Sequence, residues 1–191
     1  MTAATFGLGG RSVILIGLMG VGKSSIGKRL ARRLELPFVD ADAEIVKAAG
    51  CSIEDIFERF GEAAFREGEE RVLARLLAEC PHVLATGGGA FMNASTRERI
   101  REAGISVWLR ASLDILVKRL GRRQGERPLL KNGDLRETLT RLIDQRHPVY
   151  AEADIVVDTG DEALDATVEQ VVAALQTRVA ATQPLEGSLP S

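Results

Sequence analysis

The chain has 191 residues, a formal net charge of −2 and a hydrophobic content of 45%. This length suits one well-buried domain rather than two, and the near-neutral charge argues against a protein that holds nucleic acid by bulk positive charge. No apolar run is long enough to span a membrane, and residues 1–10 lack the pattern of a secretory signal. Cys51 and Cys80 form neither a disulfide framework nor a zinc-ligand pattern. We therefore expect a cytoplasmic protein.

The stretch 17–25 begins with a phosphate-binding pattern, G-x-x-x-x-G-K-S, at residues 17–24. The short apolar run 12–16 precedes it, and a segment with apolar residues on one helical face follows it. In a strand–glycine loop–helix unit, backbone N–H groups and the helix N-terminus can cradle phosphates. Lys23 adds a positive charge at the transferred phosphate, and the Ser24 hydroxyl suits Mg²⁺. The alternative is a glycine-rich turn with a chance lysine, which the agreement of motif and flanks disfavours.

Strands and helices alternate along the rest of the chain. Later strands are predicted over residues 38–39, 83–86, 105–109 and 155–157. A helix should end at Gly50, a capping box at Ser52 should start the next, and Gly61 should interrupt it. The helix over residues 135–147 should stop before Pro148. This order predicts an α/β fold of the three-layer P-loop kinase type, with a five-stranded parallel sheet and helices on both faces.

Composition divides the chain into a domain and flanking segments. Residues 1–10 are predicted to be a flexible leader, residues 11–179 the folded domain and residues 180–191 a flexible tail. The domain should close with an amphipathic helix over residues 162–179. Residues 121–134 are polar, basic and glycine-containing, and they are long enough to form a mobile lid over a site.

Candidate site residues fall at the carboxyl ends of the predicted strands, where ligands bind in parallel α/β sheets. Asp40 and Asp42 suit the coordination of Mg²⁺ through water and the orientation of an acceptor hydroxyl. The triple glycine 87–89 allows backbone to approach a small ligand closely. Arginines on the helices and in the lid suit carboxylate and phosphate groups; they are Arg66, Arg119, Arg122, Arg123, Arg127 and Arg146.

Each of these residues, taken singly, has a plainer alternative. Either Asp40 or Asp42 could be the N-cap of the following helix, and the triple glycine could be a simple turn. Arg127 could be a solvated loop charge. Taken together, the residues favour a small-molecule kinase with an anionic acceptor.

Six motifs in order make residues 10–178 resemble the shikimate kinase family, a nucleoside-monophosphate-kinase-like group of P-loop proteins. They are the phosphate loop, D-A-D at 40–42, I-F at 56–57 with G-E-A-A-F-R at 61–66, G-G-G-A at 87–90, R-P-L-L at 127–130 and R-H-P-V-Y at 146–150. The resemblance implies transfer of the γ-phosphate of ATP to the 3-hydroxyl of shikimate, on the route to chorismate and aromatic amino acids. Ala41 departs from the threonine or serine common in the family, and no chemistry is expected of its side chain.

The resemblance also implies a role for each matching residue on the nucleotide side. Ser24 would ligate Mg²⁺, and Asp40 would hold a metal-bound water. Arg127 would swing in with the lid towards the phosphates, and Arg119 would flank the adenine. The ATP phosphates would be bound by the loop residues Gly20, Val21, Gly22, Lys23, Ser24 and Ser25.

On the acceptor side, the resemblance implies a pocket for shikimate. Asp42 would bind its hydroxyls, including the attacking 3-hydroxyl. Arg66 and Arg146 would clamp its carboxylate, and the floor of the pocket would be formed by Gly87, Gly88 and Gly89. The implied catalytic residues are Lys23, Asp42 and Arg127.

Two rival functions stay open. A gluconate-type kinase also phosphorylates a carboxylated polyol, but it is not expected to carry both G-E-x-x-F-R and R-x-P-x-Y. A nucleotide-dependent binding module without turnover would be expected to lose one of the motif residues Lys23, Ser24, Asp42 and Arg127. We expect a monomer that binds shikimate, ATP and Mg²⁺, with no nucleic-acid or membrane partner.

Overall fold

A five-stranded parallel sheet forms the centre of the computed structural model, which describes residues 7–79, 81–121 and 134–182. The strand order is β2-β3-β1-β4-β5. The central strand β1 pairs with β3 and β4, and all five of its residues are buried. The strands are β1 (Ser12–Ile16), β2 (Phe38–Asp40), β3 (Val83–Ala85), β4 (Gly104–Arg110) and β5 (Ile155–Asp158). The predicted parallel sheet is confirmed.

Helices cover both faces of this sheet. They are α1 (Lys23–Leu34), α2 (Ala41–Ala49), α3 (Ile53–Leu77), α4 (Ala94–Ala103), α5 (Leu113–Gly121), α6 (Leu135–Tyr150) and α7 (Leu164–Thr182), with a 3₁₀ turn at Ala90–Met92. The crossover through α1 runs towards β2, whereas those through α3, α4 and α5–α6 run the other way along the strand order. Because such crossovers are right-handed, α1 lies on the face opposite α3 and α4. The last helix, α7, packs against α1.

Local signals set several of the observed boundaries. Gly50 ends α2 in the left-handed region with φ 68°, and Ser52 starts α3 with a capping box to Asp55. Gly61 interrupts α3 with φ 79° and ψ 176°, a conformation essentially restricted to glycine. These three predictions are confirmed, and the kink at Gly61 separates two helical halves that both border the candidate site.

The predicted end of α6 before Pro148 is wrong. The helix continues through Pro148 to Tyr150. Proline removes one hydrogen bond from the last turn, but the turn is held by Tyr150, whose side chain is fully buried and donates a hydrogen bond to the Gly88 carbonyl oxygen.

The described structure includes a few residues on either side of the predicted domain. Leu8, within the expected leader, is buried in the core with 2% of its surface exposed. The helix α7 reaches Thr182, three residues into the expected tail. Of the expected lid, Gly121 ends α5 and Asp134 caps α6, while residues 122–133 lie outside the described part. Among the described helices, none has the length and apolarity needed to cross a membrane.

Candidate active site

The loop between β1 and α1 depends on glycine at particular positions. Gly17 has φ 139°, and a Cβ atom there would lie 2.5 Å from the carbonyl oxygen of Leu109 on the neighbouring strand. Gly22 caps α1 with φ 100°. Lys23, the first residue of α1, extends its Nζ back across the loop and donates to the carbonyl oxygens of Gly17 at 2.7 Å and Leu18 at 3.0 Å. The ammonium group is thus held at the mouth of the loop, at the carboxyl end of β1.

Ser24 and Asp40 meet beside this loop. The Ser24 hydroxyl donates to Asp40 Oδ2 at 2.6 Å, and the backbone N–H of Asp42 donates to Asp40 Oδ1 at 3.1 Å. Asp40 is therefore the N-cap of α2, as the plainer alternative proposed. The same carboxylate reaches Ser24 with its other oxygen, so the cap and the contact to the phosphate loop coexist.

A cavity of about 360 Å³ opens next to the phosphate loop. It brings together the carboxylate, the two arginines and the glycines predicted for the acceptor: Asp42, Arg66, Gly87, Gly88, Gly89 and Arg146. Met19 of the phosphate loop also lines it, so the cavity borders that loop directly. Its apolar wall comes from both halves of α3, through Ile53, Phe57 and Phe65.

The triple glycine makes close approaches that a side chain would prevent. A Cβ atom on Gly87 would lie 2.6 Å from Glu69 Oε1 and 3.1 Å from Asp42 Oδ1. A Cβ atom on Gly89 would lie 2.4 Å from Arg66 Nη1. The stretch also makes a turn, because the N–H of Ala90 donates to the Gly87 carbonyl oxygen at 3.2 Å. The triple glycine is therefore both a turn, as the plainer alternative proposed, and a place where side chains approach the backbone closely.

Arg146 reaches the glycine loop from α6. It is buried, with 9% of its surface exposed, and its Nη1 donates to the Gly88 carbonyl oxygen at 2.8 Å. The hydroxyl of Tyr150, one turn further along α6, donates to the same oxygen. Two donors from one helix therefore converge on one backbone carbonyl of the cavity wall.

Arg66 is fixed by two carboxylates of its own helix. Its Nε and Nη2 donate to Glu62 Oε1 at 3.3 and 3.0 Å, and its Nη1 donates to Glu69 Oε2 at 2.7 Å. Burial alone would lower the pKa of Arg66, but the two carboxylates outweigh it and raise that pKa. The guanidinium thus stays charged beside the cavity.

Glu69 is the main site residue that the sequence analysis missed. Its side chain is buried, and Oε1 has no hydrogen-bond partner among the described residues. Burial raises the pKa of Glu69 and outweighs the opposing effect of Arg66, and the negative charge of Asp42 raises it further. The sequence signal that could have identified Glu69 is its spacing. It follows Arg66 by three residues and therefore lies on the same helical face.

Arg119 lies outside the acceptor cavity. Its Nη1 donates to the Val21 carbonyl oxygen at 3.1 Å and lies 3.4 Å from Thr159 Oγ1, and its Nη2 donates to the Gly160 carbonyl oxygen. It joins the phosphate loop to the segment after β5, on the nucleotide side of the site. Arg127 lies outside the described residues, and its predicted position is not tested.

Known shikimate kinases are similar to this chain in sequence and in structure. The family model described as shikimate kinase matches residues 19–176. A shikimate kinase of Paramagnetospirillum magneticum is 60% identical over 168 residues, which cover 88% of this chain and 86% of that protein. A solved shikimate kinase from Acinetobacter baumannii in complex with shikimate has a TM-score of 0.86 at 33% identity, covering 95% of this chain and 99% of that one.

The gluconate-type alternative is represented by a distant structural neighbour. A gluconokinase from Sinorhizobium meliloti aligns with 90% of this chain and 94% of its own, at a TM-score of 0.56 and 22% identity. A likeness at that identity shows a shared fold alone. The chain belongs to the shikimate kinase family, whose members are ATP-dependent phosphotransferases that act on shikimate.

Proposed function

We propose that this chain transfers the γ-phosphate of ATP to the 3-hydroxyl of shikimate, and that the 360 Å³ cavity holds the acceptor. One observation carries this proposal: two arginines, the carboxylate of Asp42 and a glycine loop from separate elements line a single cavity beside the phosphate loop. Arginine suits the carboxylate of the acceptor, and the carboxylate suits its hydroxyls.

Arg66 and Arg146 are proposed to hold the carboxylate of shikimate. A guanidinium has five N–H donors, and three hydrogen bonds tie Arg66 to Glu62 and Glu69. Donors therefore remain for a ligand, in an orientation set by the two glutamates. Gly88, whose carbonyl oxygen accepts from Arg146, would form the floor beneath the bound carboxylate.

Asp42 is proposed to bind the reacting hydroxyl. Its carboxylate lies over Gly87 in the cavity. Its backbone N–H is bonded to Asp40, which in turn accepts from Ser24 of the phosphate loop. The reaction releases the hydroxyl proton as the new oxygen–phosphorus bond forms and the bond to ADP breaks. In a loose transition state little proton transfer is needed early, so Asp42 would first orient the hydroxyl and then accept its proton.

The nucleotide is proposed to bind along the β1–α1 loop. The N–H groups at the start of α1 and the Lys23 ammonium would hold its phosphates, an arrangement typical of helix N-termini that bind anions. Arg119, held between the phosphate loop and Gly160, would lie beside the adenine. Arg127 is proposed to reach the transferred phosphate as the arginine of the lid.

Mg²⁺ is proposed to bind with the ATP phosphates. Among residues 7–79, 81–121 and 134–182, no three His, Cys, Asp or Glu side chains cluster as a ready-made metal cage. Ser24 and Asp40 nevertheless supply hard oxygen donors 2.6 Å apart at the edge of the loop. This fits Mg²⁺, which keeps several waters and takes few protein ligands. Ser24 would ligate the ion directly and Asp40 would act through a water, and the bound ion would neutralise phosphate charge.

A coupled assay of ADP release tests the proposed function. Shikimate should support turnover, and gluconate at the same concentration should not. Lys23→Met, which keeps the acceptor cavity intact, serves as the control for contaminating kinases. Preference for gluconate would support the gluconate-type alternative, and nucleotide binding without ADP release from either acceptor would support the binding module.

We further propose that the protein works as a cytoplasmic monomer without a nucleic-acid partner. The net charge of −2 supports the last point. Light scattering coupled to size-exclusion chromatography tests the oligomeric state, with a mass of 20.6 kDa expected for the monomer.

A further inference from the structure

Tyr150 ends the R-H-P-V-Y motif, yet the proposed function gives it no role. It is the only tyrosine in the chain. Its side chain is fully buried, at 0% exposure, and it stands in the last turn of α6 beyond Pro148. A phenol buried this deeply usually has a hydrogen-bond partner for its hydroxyl, so that partner indicates what the residue does.

The partner is the backbone of the acceptor cavity. The Tyr150 hydroxyl donates to the Gly88 carbonyl oxygen, which also accepts from Arg146 Nη1 at 2.8 Å. Because the peptide unit is planar, fixing this oxygen also fixes the N–H group and Cα atom of Gly89, and the Arg66 guanidinium occupies the space where a Cβ atom of Gly89 would stand. One carbonyl thus sets the geometry among Arg146, the glycine loop and Arg66.

The phenol ring is held firmly enough to act in this way. Its centroid lies 5.8 Å from that of Trp108, 6.3 Å from that of His147 and 6.4 Å from that of Phe91. Burial raises the pKa of Tyr150, so the hydroxyl remains a donor at neutral pH. These neighbouring rings restrict the motion of the Tyr150 side chain, and its hydroxyl in turn holds the Gly88 carbonyl in place.

We propose that Tyr150 is a positioning residue for the carboxylate-binding corner formed by Gly88, Gly89, Arg66 and Arg146. It acts through the Gly88 carbonyl and touches no reacting atom. The proposal rests on the proposed function, in which this corner holds the carboxylate of shikimate.

The variant Tyr150→Phe removes the hydroxyl and keeps the ring. One neutral hydrogen bond corresponds to about a 2- to 10-fold change in affinity. We therefore expect the KM for shikimate to rise by about that factor, with kcat and the KM for ATP almost unchanged. In an Arg146→Met background the further effect of Tyr150→Phe should largely disappear, since both donors serve one carbonyl.

Ser106→Ala is the matched control. Ser106 is 2% exposed, and its hydroxyl donates to Asp154 at 2.8 Å, away from the corner. This variant loses that hydrogen bond and the one that the hydroxyl accepts from the Asp154 N–H at 2.9 Å, so it perturbs the core at least as much, but it should leave the KM for shikimate unchanged. If Ser106→Ala raises that KM as much as Tyr150→Phe does, the effect reports general stability and the proposal fails.

A second measurement avoids any folding defect of the variant. Since the chain has one tyrosine, labelling with 3-fluorotyrosine gives a single ¹⁹F resonance. Saturating shikimate should shift it, whereas the methyl ester of shikimate should shift it much less. No shift with shikimate overturns the proposal. Arg146→Met alone tests the underlying function: if it weakens shikimate binding while Tyr150→Phe does not, only the role of Tyr150 is refuted.

Discussion

The ion pair of Arg66 and Glu69 leads to a prediction about stability and pH. Arg66→Met removes the guanidinium that lies 2.7 Å from Glu69 Oε2. Glu69 is 3% exposed, and its Oε1 has no hydrogen-bond partner among the described residues. The isolated carboxylate must then either stay charged in a buried position or take up a proton, and both are unfavourable at neutral pH.

Proton uptake sets the upper limit of this destabilisation. From the ordinary pKa of 4.5, protonating Glu69 at pH 7 costs at most about 3.4 kcal/mol, at roughly 1.36 kcal/mol per pH unit. At pH 5 the same limit is about 0.7 kcal/mol. A carboxyl whose pKa is raised on folding stabilises the fold least at high pH, because stability is lost as pH rises from the unfolded pKa through the folded one. The loss caused by Arg66→Met should therefore grow from pH 5 to pH 7.

Urea unfolding at both pH values measures this effect. The double variant Arg66→Met/Glu69→Gln should recover most of the loss at pH 7, since no buried charge remains, but it should not recover shikimate affinity. Arg59→Met is the control on the same helix, because its exposed pair with Asp55 at 3.8 Å should contribute little. The reasoning is refuted if Arg66→Met loses equal stability at both pH values, or if the double variant is no more stable than the single one.

Three further predictions concern turnover. Lys23→Met should fold normally and lose activity by on the order of 10²-fold or more, as expected for one strong electrostatic donor; near-normal ADP release would contradict the role of the loop. Asp42→Asn should lower kcat strongly with the fold intact, and an unchanged acid limb in its pH–rate profile would leave orientation, not base catalysis, as its role. Arg127→Ala should lower kcat by about 10³-fold or more with little change in shikimate affinity measured by calorimetry; normal turnover would make Arg127 a solvated loop charge.

Features that depend on neighbouring residues were predictable from the sequence. The phosphate loop, the capping box at Ser52 and the break at Gly61 each follow from backbone preferences within a few residues. The alternation of strands and helices along the chain was also predictable, and it implies a parallel sheet with right-handed crossovers. The residues that line the acceptor cavity were predicted from the resemblance to a family, because no local sequence pattern indicates that Gly88 lies next to Arg146.

The role of Glu69 could not be predicted from local sequence patterns. In the sequence it is one of several glutamates on a charged helix, and most such residues are solvated. Only the folded chain places its Oε1 over Gly87 and its Oε2 on Arg66. Its role follows from burial against the glycine loop, which α3 alone does not encode.

At Pro148, contacts within the folded protein outweigh the tendency of proline to end a helix. A proline inside a helix costs about 3 kcal/mol, and less in the last turn, where few hydrogen bonds follow. Against this stand the burial of the Tyr150 ring, about 1.5–3 kcal/mol for a large side chain, and its hydrogen bond to Gly88, about 0.5–1.5 kcal/mol. These contributions match or exceed the cost, so α6 continues for one turn beyond the point where its own sequence would end it. Tyr150 lies one turn after Arg146, and both side chains donate to the Gly88 carbonyl oxygen. The same oxygen therefore stabilises the end of α6 and the carboxylate-binding corner.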